Sequence, residues 1–151
     1  MKKLVLAAML SLFGYAASAA AGAVVQFKNA LPPCPGAIVT VQFIEYTPPP
    51  ACINNGLSPV YPATNGAIYD LNNPATWAPT PLLGGQTYSA IVCITCPGLP
   101  AFCLPPVGIG PGATCDPPSI RSTPTPCCGT IAVDAIPVGG PPINYVLFIH
   151  P

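Results

Sequence analysis

The chain has 151 residues, 51% apolar and only 5% charged, with 24 prolines, 8 cysteines and a formal net charge of zero. One domain is the default at this length, and an ordinary soluble protein is about 25% charged. Three classes are excluded. A nucleic-acid binder needs a basic stripe, charge-driven disorder needs low hydrophobicity, and a coiled coil tolerates neither these prolines nor the missing charged positions.

The chain opens on Met1-Lys2-Lys3, an apolar run over 4–16 and then Ala17-Ser18-Ala19. Basic start, short apolar core and small-residue site define an export signal, so residues 1–19 are expected to be removed. The run is shorter than the roughly 20 residues that span a bilayer. After cleavage the cations are Lys28 and Arg121, against Glu45, Asp70, Asp116 and Asp134, a net charge of −2 with His150 neutral. Such a surface is kept soluble by polar uncharged side chains or is covered by a partner. The expected location is secreted, extracellular or at the cell surface, with no membrane span.

Residues 20–35 read as an N-terminal strand and a Pro-rich connector, and 36–151 as one domain. The strand carries Val24, Val25, Gln26, Phe27 and Lys28, and the connector Leu31-Pro32-Pro33-Cys34-Pro35 is stiff because proline fixes φ. Period-2 alternation follows over 38–46, with Val39, Val41 and Phe43 on one face. It recurs over 86–95 with Tyr88, Ala90, Val92 and Ile94, over 130–136 with Ile131, Val133 and Ala135, and over 143–149 with Ile143, Tyr145, Leu147 and Ile149. A shorter candidate covers 67–71. These runs are rich in Val, Ile, Thr and Tyr. Pro48-Pro49-Pro50, Asn65-Gly66, Gly84-Gly85 and Gly139-Gly140 punctuate them, Asn65-Gly66 in the manner of a tight hairpin turn. The fold class is all-β: an antiparallel β-sandwich, immunoglobulin-like or transthyretin-like. Residues 97–128 hold nine prolines and read as a long loop that something must tie down.

Cys34, Cys52, Cys93, Cys96, Cys103, Cys115, Cys127 and Cys128 are an even set in an exported chain, which reads as a disulfide framework. Cys93 and Cys96 lie three apart on a strand and face opposite sides; so do Cys127 and Cys128. Bridging these two pairs would close the loop at its base, with Cys103–Cys115 inside it. Cys34–Cys52 is disfavoured: they flank a strand about 30 Å long, and the six residues from Tyr46 to Cys52 reach at most about 20 Å. These two are expected to pair elsewhere, including with a neighbouring copy.

No catalytic residue, metal or cofactor is expected. Cys93-Ile-Thr-Cys96 lacks the helix N-terminus that a redox site uses, and the single histidine, His150, has no nucleophile-elbow serine. The four acids read as solvated turn residues. Residues 108–112 lack the strand and helix of a phosphate loop. Trp77 reads as a packing anchor before a sugar platform. Two functions fit. The first is a structural subunit of an extracellular filament or cell-surface assembly, a homopolymer formed by exchange of the N-terminal strand. Deleting 20–29 would then leave a folded monomer. The alternative is a monomeric secreted binding module for glycans or a surface protein, using Trp77 and the Pro/Cys-rich loop.

Overall fold

The computed structural model describes residues 23–31, 34, 36–83, 87–110, 114–139 and 143–151. The leader and its cleavage site lie outside the described residues, as do Gly84, Gly85 and Gly140. Eleven strands are described: β1 (Val24–Asn29), β2 (Ile38–Tyr46), β3 (Asn54–Leu57), β4 (Tyr61–Pro62), β5 (Ile68–Asp70), β6 (Thr87–Thr95), β7 (Ala101–Cys103), β8 (Val107–Ile109), β9 (Ser119–Thr125), β10 (Gly129–Pro137) and β11 (Tyr145–His150). They form two packed sheets. The first has the order β5-β1-β11-β10-β9; in the second, β3-β2-β6-β7, β4 also pairs with β2 and β8 with β6. All pairs are antiparallel except β1 with β11, which run parallel.

Alternation places the core. Val25 and Phe27 of β1, Val41 and Phe43 of β2, Ala90, Val92 and Ile94 of β6, Ile131 and Val133 of β10, and Leu147 and Ile149 of β11 are all buried between the sheets. Glu45 continues the inward parity of Val41 and Phe43 and is fully buried, so it is no solvated turn residue. One of its oxygens accepts the Leu83 N–H at 3.0 Å. Trp77 is also fully buried; its indole N–H donates to the Leu71 carbonyl and its ring lies 5.9 Å from Tyr88. A buried indole is a packing anchor, not a platform for sugars.

The turn at Asn65-Gly66 is present, with Gly66 at φ +85°, but it is not a hairpin. The strands it joins go to different sheets, β4 beside β2 and β5 beside β1. The 97–128 segment also differs from the expected loop, since it contains β7, β8 and β9. Strands of three residues have no period to detect; their ladders come from alignment along β6. Gly108 on β8 lets the chain at 114–116 pass directly over it, because a Cβ there would collide with the Asp116 carbonyl and the Thr114 side chain.

All eight cysteines are bridged: Cys34–Cys128, Cys52–Cys115, Cys93–Cys103 and Cys96–Cys127. The expected opposite-face geometry of Cys93 and Cys96 is present, and Cys96 joins Cys127. Cys93, however, faces outward and lies directly across from Cys103 of β7, with Cα atoms 4.0 Å apart, so adjacency in the ladder decides the pairing. Cys103–Cys115 is thereby excluded. Cys115 joins Cys52 instead, where the covering segment meets the β2–β3 turn. Cys34 and Cys52 do not pair with each other, and both find partners in their own chain rather than in a neighbour. Cys127 and Cys128 occupy the β9–β10 turn, so one turn is fastened both to the end of β6 and to the β1–β2 connector.

Among the described residues every lateral sheet edge is blunted. Ser58-Pro59 separates β3 from β4 on one flank of β2, and Pro105-Pro106 separates β7 from β8 on one flank of β6. In the first sheet β5 has only three residues. β9 carries Pro124, a positive-φ Ser122 and a register shift against β10. Short, proline-broken or bulged edges resist pairing with another chain.

Candidate functional site: the terminal-strand sheet

The structure places Val24, Val25, Gln26, Phe27 and Lys28 inside the first sheet of their own chain, between β5 and β11. The β11 ladder runs from Val25↔Tyr145 to Asn29↔Ile149, and the β5 ladder from Val24↔Asp70 to Gln26↔Ile68. Further bonds extend both flanks. Phe27 N–H donates to the Ala67 carbonyl, Gly66 N–H to the Phe27 carbonyl, Ala30 N–H to the Ile149 carbonyl and Asn144 N–H to the Val24 carbonyl, at 2.8–2.9 Å. Asn65 Oδ1 accepts the Asn29 N–H at 3.2 Å. Deleting 20–29 would therefore open a gap between β5 and β11 and expose the core against Phe27. That corrects the expectation of a folded truncated monomer.

The alternation that buries Val25 and Phe27 turns Val24, Gln26 and Lys28 outward. On β11 it turns out Val146, Phe148 and His150, and on β10 Asp134 and Ile136. Lys28, Ile136, Val138, Val146 and Phe148 line an open groove of about 300 Å³ whose walls are mainly apolar. At one end of this face lies a polar cluster. Asp134 Oδ2 is 2.9 Å from His150 Nε2 and 3.7 Å from an Arg121 nitrogen, and the His150 ring stacks on Phe148 at 4.8 Å. His150 Nδ1 lies 3.0 Å from the Pro151 carbonyl oxygen, so both ring nitrogens are engaged. This cluster was not legible from the sequence, because it depends on the β10–β11 register, which pairs Asp134 with Phe148 and Ala132 with His150.

A second groove, about 360 Å³, lies where β4 and β5 diverge into different sheets. Tyr61, Tyr69, Asp70, Asn73 and Thr76 contribute to its walls. Tyr61 and Tyr69 pack against each other and against Phe43, and their hydroxyls donate to the Thr76 and Pro62 carbonyls. Burial, and secondarily Tyr61, raises the Tyr69 pKa; burial followed by the charges of Glu45 and Asp70 raises that of Tyr88. Burial also raises Tyr145, and burial with the Asp116 carboxylate raises Tyr46.

Among the described residues no helix is long and apolar enough to cross a membrane. Searches against protein-family models, curated proteins and solved structures found no match to this chain.

Proposed function

We propose that the protein is a structural subunit of an extracellular or cell-surface assembly, exported as its leader indicates and built from copies of itself by exchange of β1. One observation carries this reading. A segment close to the N-terminus supplies an interior strand of the sandwich, saturated on both flanks, while every lateral edge among the described residues is blunted against simple strand addition. Exchange of an identical strand between copies restores every ladder bond and every buried side chain, so it costs little beyond the opening step. Four disulfides hold the rest of the sandwich together while β1 moves, as suits an oxidising compartment.

Cys34 sets the geometry of the exchange. It is bonded to Cys128 of its own sandwich, and Asn29 lies only five positions before it. The departing strand can therefore begin at most about 18 Å from that anchor, which requires neighbouring subunits in close contact. Electron microscopy and sedimentation velocity of the exported, oxidised protein test the proposal. Linear polymers that lengthen with concentration are expected, and a protein that stays monomeric at high concentration would overturn it.

A second reading, a secreted glycan-binding module, is favoured by the Tyr61–Tyr69 groove with its Asp70 and Asn73 rim. Stacking on tyrosine with polar groups at the margin suits neutral sugars. Saccharide titration followed by the fluorescence of Trp77, which directly follows Ala75 and Thr76 of that groove's wall, separates it from the first.

A further inference from the structure

Residues opposite each other in a ladder share a face, so the outward side chains of the first sheet form rows. One row is Ile68, Gln26, Val146 and Ile136. Toward the His150 end the next row is Lys28, Phe148, Asp134 and Ser119. On the other side of the apolar row, Asp70 stands opposite Val24. Ile68 and Ile136 are 55% and 41% exposed.

Charge on this face is polarised. Lys28 and Arg121 are the only lysine and arginine beyond Lys3. Lys28 points outward here, and Arg121 approaches the outward Asp134. Asp70 lies two rows away from Lys28, about 13 Å along the strand direction.

We propose that this face docks a second copy of the chain, sheet against sheet, about a two-fold axis running along the Ile68–Gln26–Val146–Ile136 row. That operation lays the apolar row on itself and reverses the strand direction. It brings Asp70 of each copy beside Lys28 of the other, so the acidic side of one face meets the basic side of its mate. The Gln26 side chains meet at the centre, where each amide offers both a donor and an acceptor to the other. Two sheets stacked this way pack about 10 Å apart with their strands nearly aligned. The same patch serves both copies, as an isologous contact demands.

The face measures roughly 20 by 20 Å from strand and residue spacings. That is near half of the ~800 Å² per partner of a standard interface, so one contact is weak and gains from repetition along a polymer. The inference rests on the assembly reading in that copies must meet, but it does not need strand exchange.

The test is sedimentation equilibrium of the oxidised full chain across a wide concentration range, for the parent and for K28D, D70K and I136K. The parent is expected to form two-fold pairs reversibly, and I136K to remain monomeric. K28D and D70K alone place like charges together at two points, which weakens pairing about tenfold. Mixed in equal amounts they restore opposite charges at both points and pair with each other. A parent that never pairs, an I136K that pairs like the parent, or a mixture no better than its components would overturn the proposal. Reversible pairs without linear polymers would remove strand exchange and leave this contact standing; polymers whose lateral pairing ignores all three substitutions would remove this contact alone.

Discussion

Replacing Cys34 and Cys128 together by alanine removes the one covalent tie between the β1–β2 connector and the β9–β10 turn. The bridge joins positions 94 apart. If it acted alone, the chain-entropy relation would assign it about 4.7 kcal/mol. With Cys52–Cys115 intact, however, the covalent path runs from 34 to 52, across that bridge, and from 115 to 128, a closed loop of about 33 residues. The same relation then gives about 3.7 kcal/mol. Cys93–Cys103, which joins positions 10 apart, gives about 2.8 kcal/mol. The Cys34–Cys128 double variant is thus expected to lose more stability than the Cys93–Cys103 one. At about 2–4 °C per kcal/mol for a chain of this size, its Tm falls by about 10 °C. Guanidinium unfolding without reductant, followed by Trp77 fluorescence, measures both. A loss below about 1 kcal/mol for C34A/C128A, or a reversed order, would refute the account of how this staple constrains the unfolded chain.

Phe27→Ala empties the fully buried site beneath β1 and is expected to cost about 3–5 kcal/mol in urea unfolding; a change near zero would mean that β1 does not fill this core. Glu45→Ala removes a fully buried carboxylate together with the hydrogen bond that it accepts from the Leu83 N–H and should cost about 1–3 kcal/mol, the order of a hydrogen bond to a charged group, read as a shifted denaturation midpoint at constant m-value. Tyr46, Tyr69, Tyr88 and Tyr145 have raised folded pKa values, chiefly from burial. The folded protein holds those protons more tightly, so their contribution is fully present below the unfolded value near 10 and is lost as pH rises through the folded values. Thermal melts from pH 8 to 11.5 should be flat at first and then fall, with phenolate absorbance appearing later than in unfolded chain.

β1 and β5 were legible as short apolar runs, and four longer strands because alternation ran long enough to show a period. β2, β6, β10 and β11 carry Val, Ile, Thr and Tyr over six or nine residues, and their expected inward faces are the observed ones; only Ile143 falls outside β11. β4, β7 and β8, with two or three residues each, exist because neighbouring strands present ladders, which no local pattern records. β9 was hidden by Pro124 and by its polar, half-exposed side chains. The parity of Val41 and Phe43 points Glu45 inward, and in this strand register decides its placement over charge. The disulfide map was legible only in part, Cys96–Cys127 and the separation of Cys34 from Cys52, for a related reason. Facing was deducible from spacing, but partners depend on which strands adjoin, and Cys103 lies beside Cys93 only because β7 runs along β6. The parallel placement of β1 against β11, and the convergence of Lys28, Arg121, Asp134 and His150 on one face, likewise follow from strand order alone.

The most direct test of strand exchange uses a labelled peptide of residues 23–29, added in excess while the full chain refolds oxidatively. It competes with β1 of neighbouring copies for the gap between β5 and β11 during assembly. Shorter polymers that each retain peptide at an end, with no effect from a scrambled peptide, are the predicted result. Polymers of unchanged length that exclude the peptide would contradict exchange of β1.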